Sequence, residues 1–163
     1  MFNRKTIKIG DQLWMAENLS VDDDGEGIYH HNGQTYYTWD AARRVADKIP
    51  GWHLPTKSEF KKLFDTLGGQ STAGKVLKLR TGWNLDGNGT DDFRFYASPV
   101  GFRGSEGFFD GYGYYAFFWS STNYNNDFAY RTFLCYSKDN AYLNKDFKGY
   151  GFSVRLIKNK EAK

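Results

Sequence analysis

The sequence has little cysteine, no long apolar run and little net charge, and each scarcity excludes a class of protein. The single cysteine, Cys135, permits neither an intrachain disulfide nor a zinc site built on several thiolates. The N-terminal residues Met1–Lys5 lack the apolar segment of a signal peptide, and no stretch is long enough to span a membrane, so we expect no membrane insertion. A net charge of +3 is too small to indicate a nucleic-acid partner.

Aromatic side chains and glycine are abundant instead. Aromatics make up 19% of the residues, more than one core requires, so we expect some of them to serve a surface. Eighteen glycines against three prolines predict many tight turns and a loop-rich fold. A length of 163 residues is typical of one domain, and we treat residues 1–163 as a single unit.

The first half of the chain predicts a strand pair followed by two helices. Apolar residues alternate through Thr6–Met15 on either side of a turn at Gly10-Asp11, as in a hairpin. Val21–Gln34 is polar and Gly-rich and predicts a loop. Thr38 is a plausible cap for a helix that follows it, and Thr56–Glu59 forms a capping box at the start of another.

The second half predicts loops and then strands. Gly68-Gly69 should end the second helix, and we predict no third long helix from Gly74 onward. Five glycines between residues 101 and 115 favour a long irregular loop. Three runs then read as strands, at Phe128–Tyr136, Asn140–Lys145 and Gly151–Ile157. The order of these elements predicts an α+β fold with little regular structure in the middle.

Six short motifs carry a resemblance to a known family and cover nearly the whole chain. They are WMAENL (14–19), YTWDAA (37–42), GWHLPTKSEF (51–60), GNGTDD (87–92), FWSST (118–122) and GYGFSVRLIK (149–158). Together they resemble the Fibrobacter succinogenes major paralogous domain, a module of bacterial surface and secreted proteins. That family in turn resembles the C-type lectin-like fold of the formylglycine-generating enzymes. The resemblance implies paired terminal strands, two helices, a long loop region that carries the binding site, and C-terminal antiparallel strands.

One departure from the family concerns a pair of cysteines. Members usually have cysteines, an apparent disulfide pair, at the places that here hold Ile49 and Leu156. A paired loss fits two facing positions that now make an apolar contact, so we expect these side chains to touch. The family implies a cell-surface or secreted location. The lack of a disulfide and of a signal peptide leaves the compartment open.

The sequence offers one candidate metal loop, and it is weak. Asp86, Asn88 and Asp91 place oxygen ligands as a calcium loop would, but Ala97 stands where an EF-hand needs its glutamate. An Asx-rich turn is the alternative interpretation. Sugar-binding C-type lectins have calcium ligands where this chain has Ser120-Ser121, and hydroxyls are poor calcium ligands. We therefore predict no cofactor, and at most a weak calcium site at Asp86, Asn88 and Asp91.

No set of residues in the sequence forms a catalytic constellation. The formylglycine-generating enzymes need two cysteines close together, and this chain has one. Cys135 follows Phe133 at strand spacing, which predicts a buried core thiol. We interpret His53 as structural, and His30 and His31 as part of a solvated loop. The sequence therefore predicts that the protein is not an enzyme.

The polar C-terminal third is the candidate binding region. Trp119 closes the apolar run Phe117–Trp119, and we predict that it anchors the core just before the chain emerges into polar sequence. Asparagine and tyrosine, which then dominate, are adaptable recognition residues. The candidate ligand-binding residues are Asn123, Tyr124, Asn125, Asn126, Tyr136, Asn140, Tyr142 and Asn144.

We therefore predict a non-enzymatic recognition or display module of a bacterial or phage surface-type protein, with an unknown protein or glycan as its ligand. Two alternatives stay open. The chain can be a purely structural module of a larger surface protein, its polar residues forming turns and outward strand faces. It also resembles the variable binding proteins of diversity-generating retroelements, which use the same fold and vary asparagine-type codons near the C-terminus.

Overall fold

The computed structural model describes residues 4–162, and within them the chain has the predicted α+β class. Met1–Asn3, which belong to the segment inspected for a signal peptide, and Lys163 lie outside the described residues. Between residues 4 and 162 no helix is long and apolar enough to cross a bilayer. The elements are β1 (Thr6–Ile9), β2 (Gln12–Met15), β3 (Ile28–His31), β4 (Gln34–Tyr37), α1 (Trp39–Asp47), β5 (Trp52–His53), α2 (Lys57–Thr66), α3 (Gln70–Leu77), β6 (Phe102–Arg103), β7 (Phe109–Asp110), β8 (Tyr115–Asn123), β9 (Phe128–Cys135), β10 (Ala141–Phe147) and β11 (Ile157–Lys158).

A four-stranded sheet with the order β1-β2-β11-β5 brings the two ends of the chain together. β1 and β2 form the predicted hairpin, and Gly10 turns it with a φ of +61°. β11 pairs with β2 through Ile157 and Trp14, and with β5 through Ile157 and His53. The expectation that β1 would neighbour the last strand is therefore wrong, because β2 lies between them and β1 forms the edge.

The segment predicted as a loop before the first helix contains a second hairpin, so that prediction is wrong for its last part. β3 and β4 pair in register from Ile28 opposite Tyr37 to His31 opposite Gln34. Asn32 and Gly33 form the turn with φ values of +48° and +76°. Positive φ at both central residues is typical of the turn that matches the twist of a two-residue hairpin.

The first two helices begin where their caps predict. The Thr38 side chain accepts a hydrogen bond from the backbone N–H of Ala41 at the start of α1. At α2 the Thr56 hydroxyl accepts from the Glu59 N–H, and the Glu59 carboxylate accepts from the Thr56 N–H. This reciprocal capping box is confirmed. Gly68 ends α2 with a φ of +94°, as its sequence position predicts.

The two expected helices are accompanied by a third, short one, since α3, of 8 residues, follows α2 almost directly. Within the described residues no long helix begins after Gly74, as predicted. The N-cap of α3 is Gly69, with a φ of +103° and no capping side chain. The usual polar N-cap signal is therefore missing from the sequence. A glycine in the middle of the helix, Gly74, allows the Asn140 carbonyl oxygen to lie directly against its backbone. α3 therefore packs closely on the turn between β9 and β10.

The middle of the chain is mostly irregular, as predicted, but it holds the short pair β6–β7. Several non-glycine residues here have positive φ, among them Leu85, Asp91, Arg94 and Tyr96. Such conformations cost free energy and persist only where the surrounding contacts enforce them. The loop is thus built by its contacts and not by local sequence preference.

The C-terminal strands form a three-stranded antiparallel sheet with the order β10-β9-β8. β9 and β10 match the predicted runs to within one or two residues at each end. β8 is not predicted from the sequence, because its apolar first half and polar second half differ so strongly in composition. Both halves belong to one strand, and Ser120 in it is fully buried. The predicted Gly151–Ile157 strand is reduced to isolated bridges and β11.

Two apolar cores stabilise the molecule. The first lies under α2 and α3 and includes Phe60, Leu63, Phe118 and Leu134. The second lies under α1 and includes Trp39, Val45, Trp119, Phe152 and Leu156.

The second core contains Trp119 and Leu156, and Ile49 packs against it. Trp119 is fully buried, and its indole N–H donates to the Tyr37 carbonyl at 2.7 Å, which confirms its core role. Ile49 packs partly buried against the apolar cluster that holds the fully buried Leu156. Ile49 and Leu156 thus belong to the same core region.

Candidate functional site

The face of the β8–β9–β10 sheet that is turned away from the first core carries a row of aromatic rings. Phe117 lies opposite Phe133, and Phe133 lies opposite Tyr142, so one ring from each strand forms the row. Their centroids are 4.8 and 5.9 Å apart, and Tyr115 adds a fourth ring at 5.4 Å from Phe133. All four are half-buried. We call Tyr115, Phe117, Phe133 and Tyr142 the aromatic face.

Arg131 brings a positive charge to the aromatic face. Its guanidinium lies 5.6 Å from the ring centre of Phe117 and 5.4 Å from that of Phe133, and its Nε donates to the Asp146 carboxylate at 3.2 Å. Burial lowers the pKa of Arg131, and Asp146 opposes that shift. Arginine remains charged at neutral pH, and Asn144 stands beside it in the same cross-strand row.

Further aromatic rings extend this surface in a continuous chain of contacts. Phe102 lies 5.4 Å from Phe117 and 6.1 Å from Tyr150, and Tyr150 lies 6.0 Å from Phe147. Phe147 is 39% exposed, and Phe108, which contacts Phe102, is 52% exposed. Exposed apolar rings therefore adjoin the aromatic face, through Phe102 and Phe108.

The asparagine-rich turn between β8 and β9 forms a second, separate surface. Asn125 builds the turn, because its side-chain oxygen accepts from the N–H groups of Asp127 and Phe128. Tyr124 is 48% exposed, and its ring lies 3.9 Å from the Lys145 ammonium. Asn123 and Asn126 are exposed on the same turn.

The structure divides the predicted binding residues between two faces of one sheet. Tyr124 contacts Tyr130, which shares its face with Thr132 and the first core. Tyr142 shares the opposite face with Phe133. The predicted binding residues therefore do not share one face of the sheet, because the turn carries Tyr124 to the other side.

The other predicted residues are more enclosed. Tyr136 is half-buried, contacts Tyr114 at 5.2 Å and packs against the first core. Asn140 is half-buried, with its backbone against α3. Of the predicted residues, Tyr142 belongs to the aromatic face, Asn144 lies beside it, and Tyr136 contacts its edge at Tyr115, with ring centres 6.4 Å apart.

The oxygen atoms of the candidate metal loop are largely engaged in the loop itself. The Asn88 side-chain oxygen accepts from the Trp83 N–H, and one Asp91 oxygen accepts from the Tyr96 N–H. The Lys75 ammonium bonds the Asn88 carbonyl at 2.9 Å. Asp86 is exposed. Within residues 4–162 no three His, Cys, Asp or Glu side chains are grouped as a metal site would need.

The histidines are engaged in local contacts. His53 bonds Glu59 at 2.8 Å and Asn159 at 2.6 Å, so it links α2 to the C-terminal segment. His30 bonds Asp22, and His31 stacks on Phe109 with ring centres 4.1 Å apart. His30 and His31 are exposed, as expected, but they lie in β3 and not in a loop.

Cys135 is half-buried, and the expectation of a core thiol is wrong. Its sulfur lies 3.2 Å from the Ser137 hydroxyl. It lies in phase with Phe133, as predicted, but that phase belongs to the aromatic face. Leu134, on the opposite phase, is the residue that enters the first core.

Sequence reasoning missed Tyr115, Phe117, Arg131 and Phe133 as surface residues. The signal was present as alternation: Tyr115 and Phe117 follow a period of two, as do Arg131 and Phe133. The alternation of Tyr115 and Phe117 indicates a surface only if the segment is a strand, and β8 is not predicted as one. The excess of aromatics over what a core requires was the second signal.

The comparisons with known proteins identify the family. The model of the Fibrobacter succinogenes major domain matches residues 7–158, and the six motifs all lie within that range. Neither the curated proteins nor the solved structures contain a match. With almost the whole described chain matched, this protein belongs to the Fibrobacter succinogenes major domain family.

Proposed function

We propose that the chain is a non-enzymatic recognition module with a C-type lectin-like arrangement, part of a bacterial or phage surface-type protein, and that it binds a protein or glycan ligand. The aromatic face carries this proposal. Its tyrosine and phenylalanine rings are partly exposed and lie next to Arg131, and tyrosine and arginine dominate binding energetics at interfaces.

The geometry of the aromatic face favours binding in a second way. Each ring contacts its neighbours across the strands, which restricts its rotation before any ligand arrives. A side chain that is already ordered loses little conformational entropy on binding. The half-buried rings also leave apolar edges in water that a ligand can cover.

The non-enzymatic part of the proposal rests on how the polar residues are used. The described histidines contact carboxylates, amides, an aromatic ring and, at His30, the Thr35 hydroxyl at 3.2 Å. Thr35 is only 8% exposed, so this hydroxyl is poorly placed to act as a nucleophile on a substrate. The half-exposed thiol of Cys135 faces a serine hydroxyl and no histidine.

The asparagine-rich turn is the second candidate site. Tyr124, Asn123 and Asn126 are exposed there, and Asn125 holds the turn in shape. A shaped turn with outward asparagine and tyrosine resembles the loops through which recognition proteins vary their specificity. A protein of the diversity-generating type would use this turn and not the sheet face.

A pair of tyrosine variants separates these sites. The unmodified protein is first screened against glycan and protein arrays, and each hit is then measured with Tyr142→Ala and with Tyr124→Ala. We expect Tyr142→Ala to weaken binding by about 1–3 kcal/mol and Tyr124→Ala to leave it unchanged. The two tyrosines occupy opposite faces of one sheet, so each serves as the control for the other.

The other outcomes of this experiment distinguish a site at the asparagine-rich turn from a purely structural role. Loss of binding only in Tyr124→Ala would move the site to the asparagine-rich turn. A screen without any hit, together with a large loss of thermal stability in Tyr142→Ala, would refute the binding proposal and favour a purely structural module. Melting temperatures of both variants are therefore measured alongside the affinities.

A further inference from the structure

Arg155 is buried against neutral oxygen atoms. It is 1% exposed. Its Nε donates to the Asn18 side-chain oxygen at 2.7 Å, its Nη2 to the Tyr96 carbonyl at 3.0 Å, and its Nη1 to the carbonyls of Phe95 and Met15. Burial lowers the pKa of Arg155 to about 9. The guanidinium is therefore held firmly while its charge has no direct counter-ion among these partners.

The hydrogen bonds described above leave one N–H group of the Arg155 guanidinium without an acceptor. An arginine has five N–H groups, and the contacts above account for four of them. One hydrogen on Nη2 has no acceptor among residues 4–162, and no carboxylate in that part of the chain lies within ion-pair distance of Arg155. An unmet buried donor on a cation is costly, and an anionic acceptor relieves that cost best.

The surrounding backbone is shaped to hold the guanidinium. The two carbonyls of Phe95 and Tyr96 point to it from a loop in which Arg94 and Tyr96 have φ values of +59° and +58°. The side chain of Asp91 fixes this loop by accepting from the Tyr96 N–H. Strained backbone that is enforced by its contacts is a common feature of ligand sites.

An open cleft of about 320 Å³ lies over this group. Arg155 lines it together with Glu17, Asn18, Gln34, Tyr96 and Ser98. Tyr96 is 39% exposed, and the remaining lining side chains are short or polar. The cleft shares no residue with the aromatic face or the asparagine-rich turn.

We propose that this cleft binds the carboxylate of a small ligand, with one ligand oxygen accepting from the free N–H of Arg155 and the Gln34 side-chain amide holding the remainder. The Ser98 hydroxyl donates to the Tyr96 carbonyl at 3.3 Å and borders the cleft. Two classes of ligand carry the carboxylate that this cleft would recognise. They are sugar acids and peptide C-termini. The Glu17 carboxylate lines the same cleft. It pairs with Lys5 at 3.7 Å and opposes a second negative charge.

The test is a titration that two-dimensional NMR monitors through the signals of the Arg155 Nε–H and of the Ser98 and Tyr96 amides. The probes are sodium acetate, sodium glucuronate and N-acetylglycine, with acetamide and sodium chloride as matched neutral and ionic controls. We expect saturable shifts with a millimolar Kd for the carboxylates and none for the controls. Tighter binding of glucuronate supports a sugar acid, and tighter binding of N-acetylglycine supports a peptide terminus.

Two variants test the site without altering Arg155 itself. Glu17→Gln removes the opposing charge and should tighten carboxylate binding by about 2–5-fold, whereas Gln34→Glu adds one and should weaken it by a similar factor. No saturable shift with any of the three carboxylates, or equal shifts with acetamide, would overturn the proposal and leave Arg155 a purely structural group. Unchanged affinity in both variants would also place the binding elsewhere.

Discussion

Replacing Thr132 by valine should stabilise the protein. Thr132 is 1% exposed in β9, on the face that packs on the first core, and lies opposite Phe118 and Leu143. Its hydroxyl has no hydrogen-bond partner within residues 4–162. Leaving a buried hydroxyl unsatisfied costs about 1–3 kcal/mol. Valine has nearly the same shape, favours strands, and puts a methyl group where the hydroxyl was.

We expect Thr132→Val to raise the free energy of unfolding by about 1–3 kcal/mol, which raises Tm by about 2–4 °C per kcal/mol in a chain of this size. Urea unfolding followed by tryptophan fluorescence measures this change, and the m-value should stay constant.

Thr35→Val is the matched control, because the buried Thr35 hydroxyl contacts the His30 ring at 3.2 Å and its loss should destabilise. A loss of stability in Thr132→Val would refute the reasoning, since it would mean that the hydroxyl has a partner in solution.

Three further predictions concern other parts of the fold. Gly74→Ala, normally favourable in a helix, should cost about 1–3 kcal/mol in thermal unfolding because the new Cβ would overlap the Asn140 carbonyl oxygen. Lys78→Met should cost about 1–3 kcal/mol in urea unfolding, because buried Lys78 bonds two carbonyls at the β9–β10 turn. A hydrogen bond from Arg44 holds the pKa of Asp23 well below 3.8, so stability should fall as the pH drops below that value. Asp23→Asn should flatten this acid dependence, and an unchanged pH profile would contradict the assignment.

Local signals predicted the elements that local contacts stabilise. The capping box of Thr56 and Glu59 and the turn at Gly10 are formed by residues close in sequence, so the sequence was sufficient to place them. The turn at Asn32-Gly33 carries an equally local signal, although the sequence analysis places this segment in a loop. α3 could not be placed this way, because its N-cap is Gly69 and its position depends on the distant Asn140 carbonyl.

The candidate site was harder to predict because it depends on strand pairing. The row Phe117–Phe133–Tyr142 exists only once β8, β9 and β10 are in register. The spacing of Tyr142 and Asn144 is sufficient to place them on one face of β10. It could not show that the turn carries Tyr124 to the other face, since that depends on the path of the chain between two strands.

The strand order β1-β2-β11-β5 also determines how this domain can be joined to other proteins. Ile7 and Ile157 flank the same residue, Trp14, on neighbouring strands. Two strand spacings separate them, which is about 10 Å. If this domain were inserted into a surface loop of a host protein, the two host residues joined to it would need to lie only about that distance apart. Neither fold would be stretched by the insertion, and the domain would behave as a side branch on its carrier.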